Sequence, residues 1–103
     1  AVGEIVLKPW HMNILGIVHG GVLYSLADTV GGTAAMTGRD YAVPTVDGTI
    51  HYLKAGKNTS KIITRAQEIQ NGYAFSVCEC KIYDDKETLL ASATMTYYHL
   101  RRR

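Results

Sequence analysis

One stretch of this chain repeats its apolar residues at helical spacing, and almost everything after it alternates with period two. From Gly20 to about Met36, the positions Val22, Leu23, Leu26, Val30 and Ala34 make one apolar stripe of a long helix. After Pro44, the segments Thr45 to Leu53, Lys61 to Gln70, Tyr73 to Tyr83 and Thr88 to His99 are rich in Thr, Ile, Val and Tyr. Each predicts a strand. Gly3 to Lys8 predicts a short strand ahead of the helix, with Pro9 to Val18 as the loop between them. A strand, one helix and four strands joined mostly by tight turns imply an α+β fold, an antiparallel sheet with one helix packed against it.

The turn residues agree with that order. Thr37-Gly38-Arg39-Asp40 carries a glycine stop signal for the helix. Asn71-Gly72 is the strongest hairpin signal, because a type I′ turn needs positive φ at both central residues. Asp84-Asp85-Lys86 predicts a second hairpin, and Lys54 to Asn58 a looser connection. No repeat or linker interrupts the chain, so residues 1–103 are read as one domain. A domain of 103 residues leaves much of its surface outside its own core, which makes pairing with a second copy plausible, and the long strands offer an edge for it.

Charge excludes several classes of function. Eleven Lys and Arg against nine Asp and Glu leave a net charge of +2, and three of the positive charges are the terminal run Arg101 to Arg103. That is no footprint for a nucleic acid, which calls for basic residues spread along one face. No apolar run approaches the ~20 residues that span a bilayer, and the start AVGEIVLKPW has no signal-peptide pattern. The expected location is the cytoplasm, with neither membrane nor nucleic acid as partner. Cys78 and Cys80, two apart in a strand, point to one sheet face and read as reduced core thiols. His11, His51 and His99 show no metal spacing and read as surface or core residues, so no metal site is expected.

The helix itself carries the unusual residues. Gly20 and Gly21 open it, where the first N–H groups have no intrahelical acceptor and the helix dipole is positive. Without side chains, that end is open to an oxyanion such as the one formed when a thioester carbonyl is attacked. Asp28 lies about two turns further on and can act as base or nucleophile from a facing subunit. On a helical wheel Gly21, Tyr24, Asp28, Gly31 and Ala35 lie away from Leu26 and Val30. Glycine inside a helix costs about 1 kcal/mol relative to alanine. Gly31 and Gly32 therefore imply a close visitor, another chain or a ligand. Taken singly, Asp28 reads equally as a solvated helix aspartate, the glycine pair as capping and Asn13 as a turn residue.

Asn13, His19-Gly20-Gly21 six positions on, and Asp28 nine beyond the histidine resemble the hotdog-fold acyl-CoA thioesterases of the phenylacetic acid degradation type. The resemblance extends over nearly the whole chain, including PTVDGTIHYLKAG after the helix and the final paired strands. It implies that the Gly20 amide polarises the thioester carbonyl while Asn13 holds the carbonyl or the attacking water. Asp28 would come from the partner subunit as general base or nucleophile, Thr45 would help orient the water, and His19 with Gly21 would shape the helix start. It also implies a long helix wrapped by an antiparallel sheet, a dimer with one continuous sheet, and a homotetramer of two such dimers. The substrate would be an aromatic or short- to medium-chain acyl-CoA, with no cofactor beyond the coenzyme A it carries. The chain starts almost at its first strand, without the leading helix of many relatives. Arg101 to Arg103, Lys54, Lys57 and Lys61 are candidates for the coenzyme A phosphates, with a frayed, solvated tail as the other reading of the terminal arginines. Tyr24, Tyr52, Tyr73, Tyr97 and Tyr98 read as core and interface aromatics. A non-catalytic acyl-CoA-binding module is the alternative function, and a hotdog hydratase a poorer one, since its Asp and His arrangement is missing.

Overall fold

A computed structural model describes residues 1–101 as one helix on a five-stranded sheet. The elements are β1 (Val2–Val6), a single 3-10 turn (Pro9–His11), α1 (Gly20–Met36), β2 (Thr45–Tyr52), β3 (Lys61–Asn71), β4 (Phe75–Tyr83) and β5 (Leu89–Tyr98). The sheet order is β1-β3-β4-β5-β2 with every neighbouring pair antiparallel, as expected for strands joined by hairpins. β1 and β2 are its edges, and β2 pairs only with β5.

The core lies between α1 and the inward side chains of the central strands: Ile62, Thr64 and Ala66 from β3, Cys78, Cys80 and Ile82 from β4, and Leu90, Ala93, Met95 and Tyr97 from β5. The period of two that marks each strand is the alternation between this helix face and the outer face. Cys78 and Cys80 are buried and unpaired, as their spacing predicts. Gly38 takes a φ of +76° just past α1, the left-handed residue its stop signal requires.

Two expectations need correction. The helix face that meets the sheet is Leu23, Ala27, Val30, Gly31 and Ala35, while Val22, Leu26 and Ala34 are only half-buried. Large residues flank the contact and small ones occupy its centre, which lets the helix backbone approach the sheet. The visitor that Gly31 accommodates is therefore its own sheet: a Cβ there would lie 2.5 Å from the Tyr97 hydroxyl and 3.0 Å from the Cys80 sulfur. The second correction is the β3–β4 turn, in which neither Asn71 nor Gly72 has positive φ. Residues 72–74 close that loop instead, with the Gly72 N–H donating to the Phe75 carbonyl at 2.8 Å. The β4–β5 hairpin forms as expected, with the Asp84 carboxylate accepting from the Lys86 and Thr88 amides, both at 2.9 Å.

Candidate active site

The loop before α1 is shaped by Asn13. Its side-chain oxygen accepts from the Leu15 amide at 2.9 Å and the Ile17 amide at 3.1 Å, while its own N–H donates to the Ile17 carbonyl at 2.8 Å. These bonds are those of a turn residue, and they leave Nδ2 as the donor that the turn does not use. His19 follows as the residue that caps the helix. Its N–H donates to the His11 carbonyl at 2.9 Å, and its carbonyl accepts from Val22 at 3.0 Å and Leu23 at 3.3 Å. The His19 side chain makes no capping bond.

The amides that follow are those of Gly20 and Gly21, which have no acceptor within the helix. Gly20 opens beside a cleft of about 340 Å³ that Asn13, Ile17, Leu23, Tyr52 and Lys54 also help to line. Asn13 and Gly20, seven residues apart in sequence, thus meet at one cavity. Gly21 is exposed, and a Cβ there would touch nothing.

Asp28 and Thr45 form a second pair. The Thr45 hydroxyl donates to the Asp28 carboxylate at 2.5 Å, and the buried Tyr97 hydroxyl donates to the Asp28 backbone carbonyl at 2.8 Å. Burial, reinforced by the Asp28 charge, pushes the Tyr97 phenol far up, so it stays a neutral donor. At 1.5 Å per residue, the eight positions from Gly20 to Asp28 span about 12 Å along the helix axis. The structure therefore brings Asn13 to Gly20 and Thr45 to Asp28, and holds the two pairs apart within one protomer.

Tyr52 is the site residue whose position the sequence did not disclose. Its hydroxyl donates to the Gly20 carbonyl at 2.9 Å, and its ring lies 3.1 Å from where a Cβ on Gly20 would stand. The same contact pattern recurs along the helix. Tyr24 reaches over Gly48, and Asp28 meets Thr45, so α1 and β2 run in opposite directions with one contact per turn. A tyrosine in a period-two strand gives no sign of this, because the partner lies 32 residues earlier.

One charged candidate differs from its sequence reading. Arg101 is no frayed tail: its guanidinium lies 4.0 Å from the Tyr73 ring centroid and donates to the Tyr73 carbonyl. Residues 102 and 103 lie outside the described residues. Lys61 sits 3.6 Å from the Glu4 carboxylate, while Lys54 lines the cleft. Among the described residues, no group of three His, Cys, Asp or Glu side chains is arranged to hold a metal ion, and no helix is long and apolar enough to cross a membrane.

A family model described as the thioesterase superfamily matches residues 15–91. A protein of Archaeoglobus fulgidus provisionally named as an esterase is 28% identical over 97 residues, which cover 94% of this chain and 62% of the relative. The chain thus spans less than two thirds of that protein. Among solved structures, a Bacillus halodurans protein with CoA superposes with a TM-score of 0.92 at 28% identity, covering 99% of this chain and 68% of that one. Zebra fish thioesterase superfamily member 2 gives 0.88 at 26% identity, with 95% and 72% covered. A Streptococcus mutans protein bound to acetyl CoA has the same fold, with a TM-score of 0.90 at 22% identity over 99% of this chain and 82% of that one. One helix against a five-stranded antiparallel sheet is the hotdog arrangement these structures share.

Proposed function

The chain belongs to the thioesterase superfamily, and from that premise we propose that it hydrolyses an acyl-CoA thioester to the free acid and coenzyme A. The observation that carries this reading is the split of the site. A donor cleft at Gly20 and Asn13 sits about 12 Å along the helix from the Asp28 and Thr45 pair, so a carbonyl held by the first is out of reach of the second in the same protomer. A partner subunit completes the site. Exposed Trp10, Ile14 and Leu15 on the loop before α1, with Val46 and Leu53 at either end of the edge strand, provide apolar surface for that partner to cover. We assign the assembly to the phenylacetic acid degradation type, a homodimer joined into a homotetramer.

In this scheme the Gly20 amide and Asn13 Nδ2 hold the thioester carbonyl oxygen. Asp28 of the partner subunit removes a proton from water as the water oxygen bonds to the carbonyl carbon, and Thr45 fixes the carboxylate. Negative charge collects on the carbonyl oxygen, where one well-placed amide is worth ~3 kcal/mol of activation energy. Collapse of the tetrahedral species breaks the C–S bond, and the proton held by Asp28 passes to the departing thiolate. If Asp28 instead attacks the carbonyl directly, an anhydride forms, and water releases the acid. Both routes use water and the carboxylate, so no cofactor enters the proposal.

The test is thiol release from a panel of aromatic and short- to medium-chain acyl-CoAs. The wild-type protein is expected to turn over at least one, and Asp28→Ala to lose roughly a thousandfold in kcat. Mixing Asp28→Ala with Asn13→Ala subunits should regenerate activity, since half of the statistical dimers contain one intact site of two, or about a quarter of all sites. Binding of acyl-CoA without hydrolysis would instead identify a non-catalytic acyl-CoA-binding module, and no recovery on mixing would place both halves of the site in one protomer.

A further inference from the structure

We propose that Tyr52 is a positioning residue of the oxyanion site, acting through the backbone of Gly20, the residue whose N–H is the donor. This rests on the reading of the cleft given above. The carbonyl that accepts the Tyr52 hydroxyl, at 2.9 Å, belongs to Gly20 itself, the residue whose N–H is the donor at the cleft. Holding that carbonyl limits the rotation of a glycine that has no Cβ to limit it, and so keeps Gly20 and its N–H in place at the first turn of α1. Tyr52 thus orients the first turn of α1 at the cleft that both Tyr52 and Gly20 line.

Packing alone does not account for the tyrosine. The residue is 53% exposed in the protomer and stands at the end of an edge strand, so filling its own protomer's core does not call for it. The ring nonetheless lies against Gly20 so closely that a methyl group there would sit 3.1 Å from both Cζ and Oη. The glycine that opens the helix is therefore needed twice, once to leave the amide end bare and once to seat the ring. Tyr52, Tyr24 over Gly48, and Asp28 with Thr45 fasten β2 to α1 along its length, and Tyr52 is the fastening at the end where the carbonyl binds.

The experiment compares wild type with Tyr52→Phe, which keeps the ring and removes only the hydroxyl. The probe is phenylacetyl-dethia-CoA, a ketone analogue that cannot be hydrolysed, labelled with carbon-13 at the carbonyl. Its carbonyl resonance should move downfield on binding to wild type and move less on binding to Y52F. With acyl-CoA substrate, kcat should fall about tenfold while KM and the thermal midpoint stay unchanged. Gly20→Ala, whose methyl displaces the ring, should reduce the carbonyl shift in wild type and add nothing in the Y52F background. This second route serves if Y52F folds poorly. An equal downfield shift in wild type, Y52F and G20A would overturn the role of Tyr52 and leave the cleft standing. Absence of any shift in wild type would overturn both.

Discussion

At the scale of single residues, the two cysteines show how burial decides chemistry. Cys78 and Cys80 face the helix, and their thiols donate to the Gly31 carbonyl at 3.5 Å and the Ala27 carbonyl at 3.3 Å. Burial pushes the first up to about 11 and the second up to about 12, with nearby carboxylates adding to the effect. Thiolate is the reactive form, so both should be inert in the folded protein. At about pH 8, a thiol-specific disulfide reagent should label neither cysteine in native protein and both in denaturant, and labelling of the native form would contradict their place in the core. The sequence reached this result because alternation in a strand is local. Asn13 is a different case: its side-chain oxygen is committed to a turn, as the turn reading expects, while its Nδ2 is left over for the role proposed above.

At the scale of elements, the close approach of α1 to the sheet is the feature most sensitive to substitution. Gly31 faces the Tyr97 hydroxyl and the Cys80 sulfur at distances no Cβ tolerates, and both neighbours are fully buried. Gly31→Ala gains helix propensity but forces the sheet away, and overpacking of this kind typically costs ~1–3 kcal/mol. A net loss of stability in chemical denaturation is expected, with Tyr97→Phe restoring part of it by removing the atom nearest the new methyl. A stabilised G31A would show that the helix can lift from the sheet without penalty. The far end of α1 is fastened by Arg39, which donates to the Ala35 carbonyl, pairs with Glu68 at 3.3 Å and donates to Asn71 at 2.5 Å. The sequence marked this end by its glycine, yet the arginine beside it makes the link to β3. That link was not legible, because Arg39 and Glu68 are 29 residues apart and neither is unusual where it stands.

At the scale of the whole molecule, His99 ties the chain's last described segment to the loop before β2. Its Nε2 lies 2.6 Å from the Ser76 hydroxyl, and its Nδ1 lies 3.2 Å from the Tyr41 hydroxyl, with the Arg101 guanidinium at 3.4 Å. Burial holds its pKa below the usual histidine value, the Arg39 and Arg101 charges add to this, and Glu68 opposes it. The unfolded chain therefore takes up the proton more readily, at about pH 6.5. The stabilisation is complete above that value and is lost as pH falls through the folded pKa. Asp85, lowered chiefly by the Ser60 backbone amide, contributes in a separate window, below about pH 4. Between about pH 7.5 and about pH 5, the denaturant midpoint of wild type should fall more than that of His99→Gln, and equal slopes would remove His99 as the cause.

The order of the elements, the antiparallel sense of the sheet and the residues that end the helix were determined by the sequence alone. Each depends on periodicity or turn chemistry within a few neighbouring positions. The helix face that meets the sheet, the form of the β3–β4 loop, and the pairing of Tyr52 with Gly20 were decided only in three dimensions. They depend on which side chains are small enough at the closest approach and on contacts between residues tens of positions apart. The separation of the Gly20 cleft from Asp28 belongs to both: eight helical residues set it in the sequence, and the structure keeps α1 one continuous helix across that stretch.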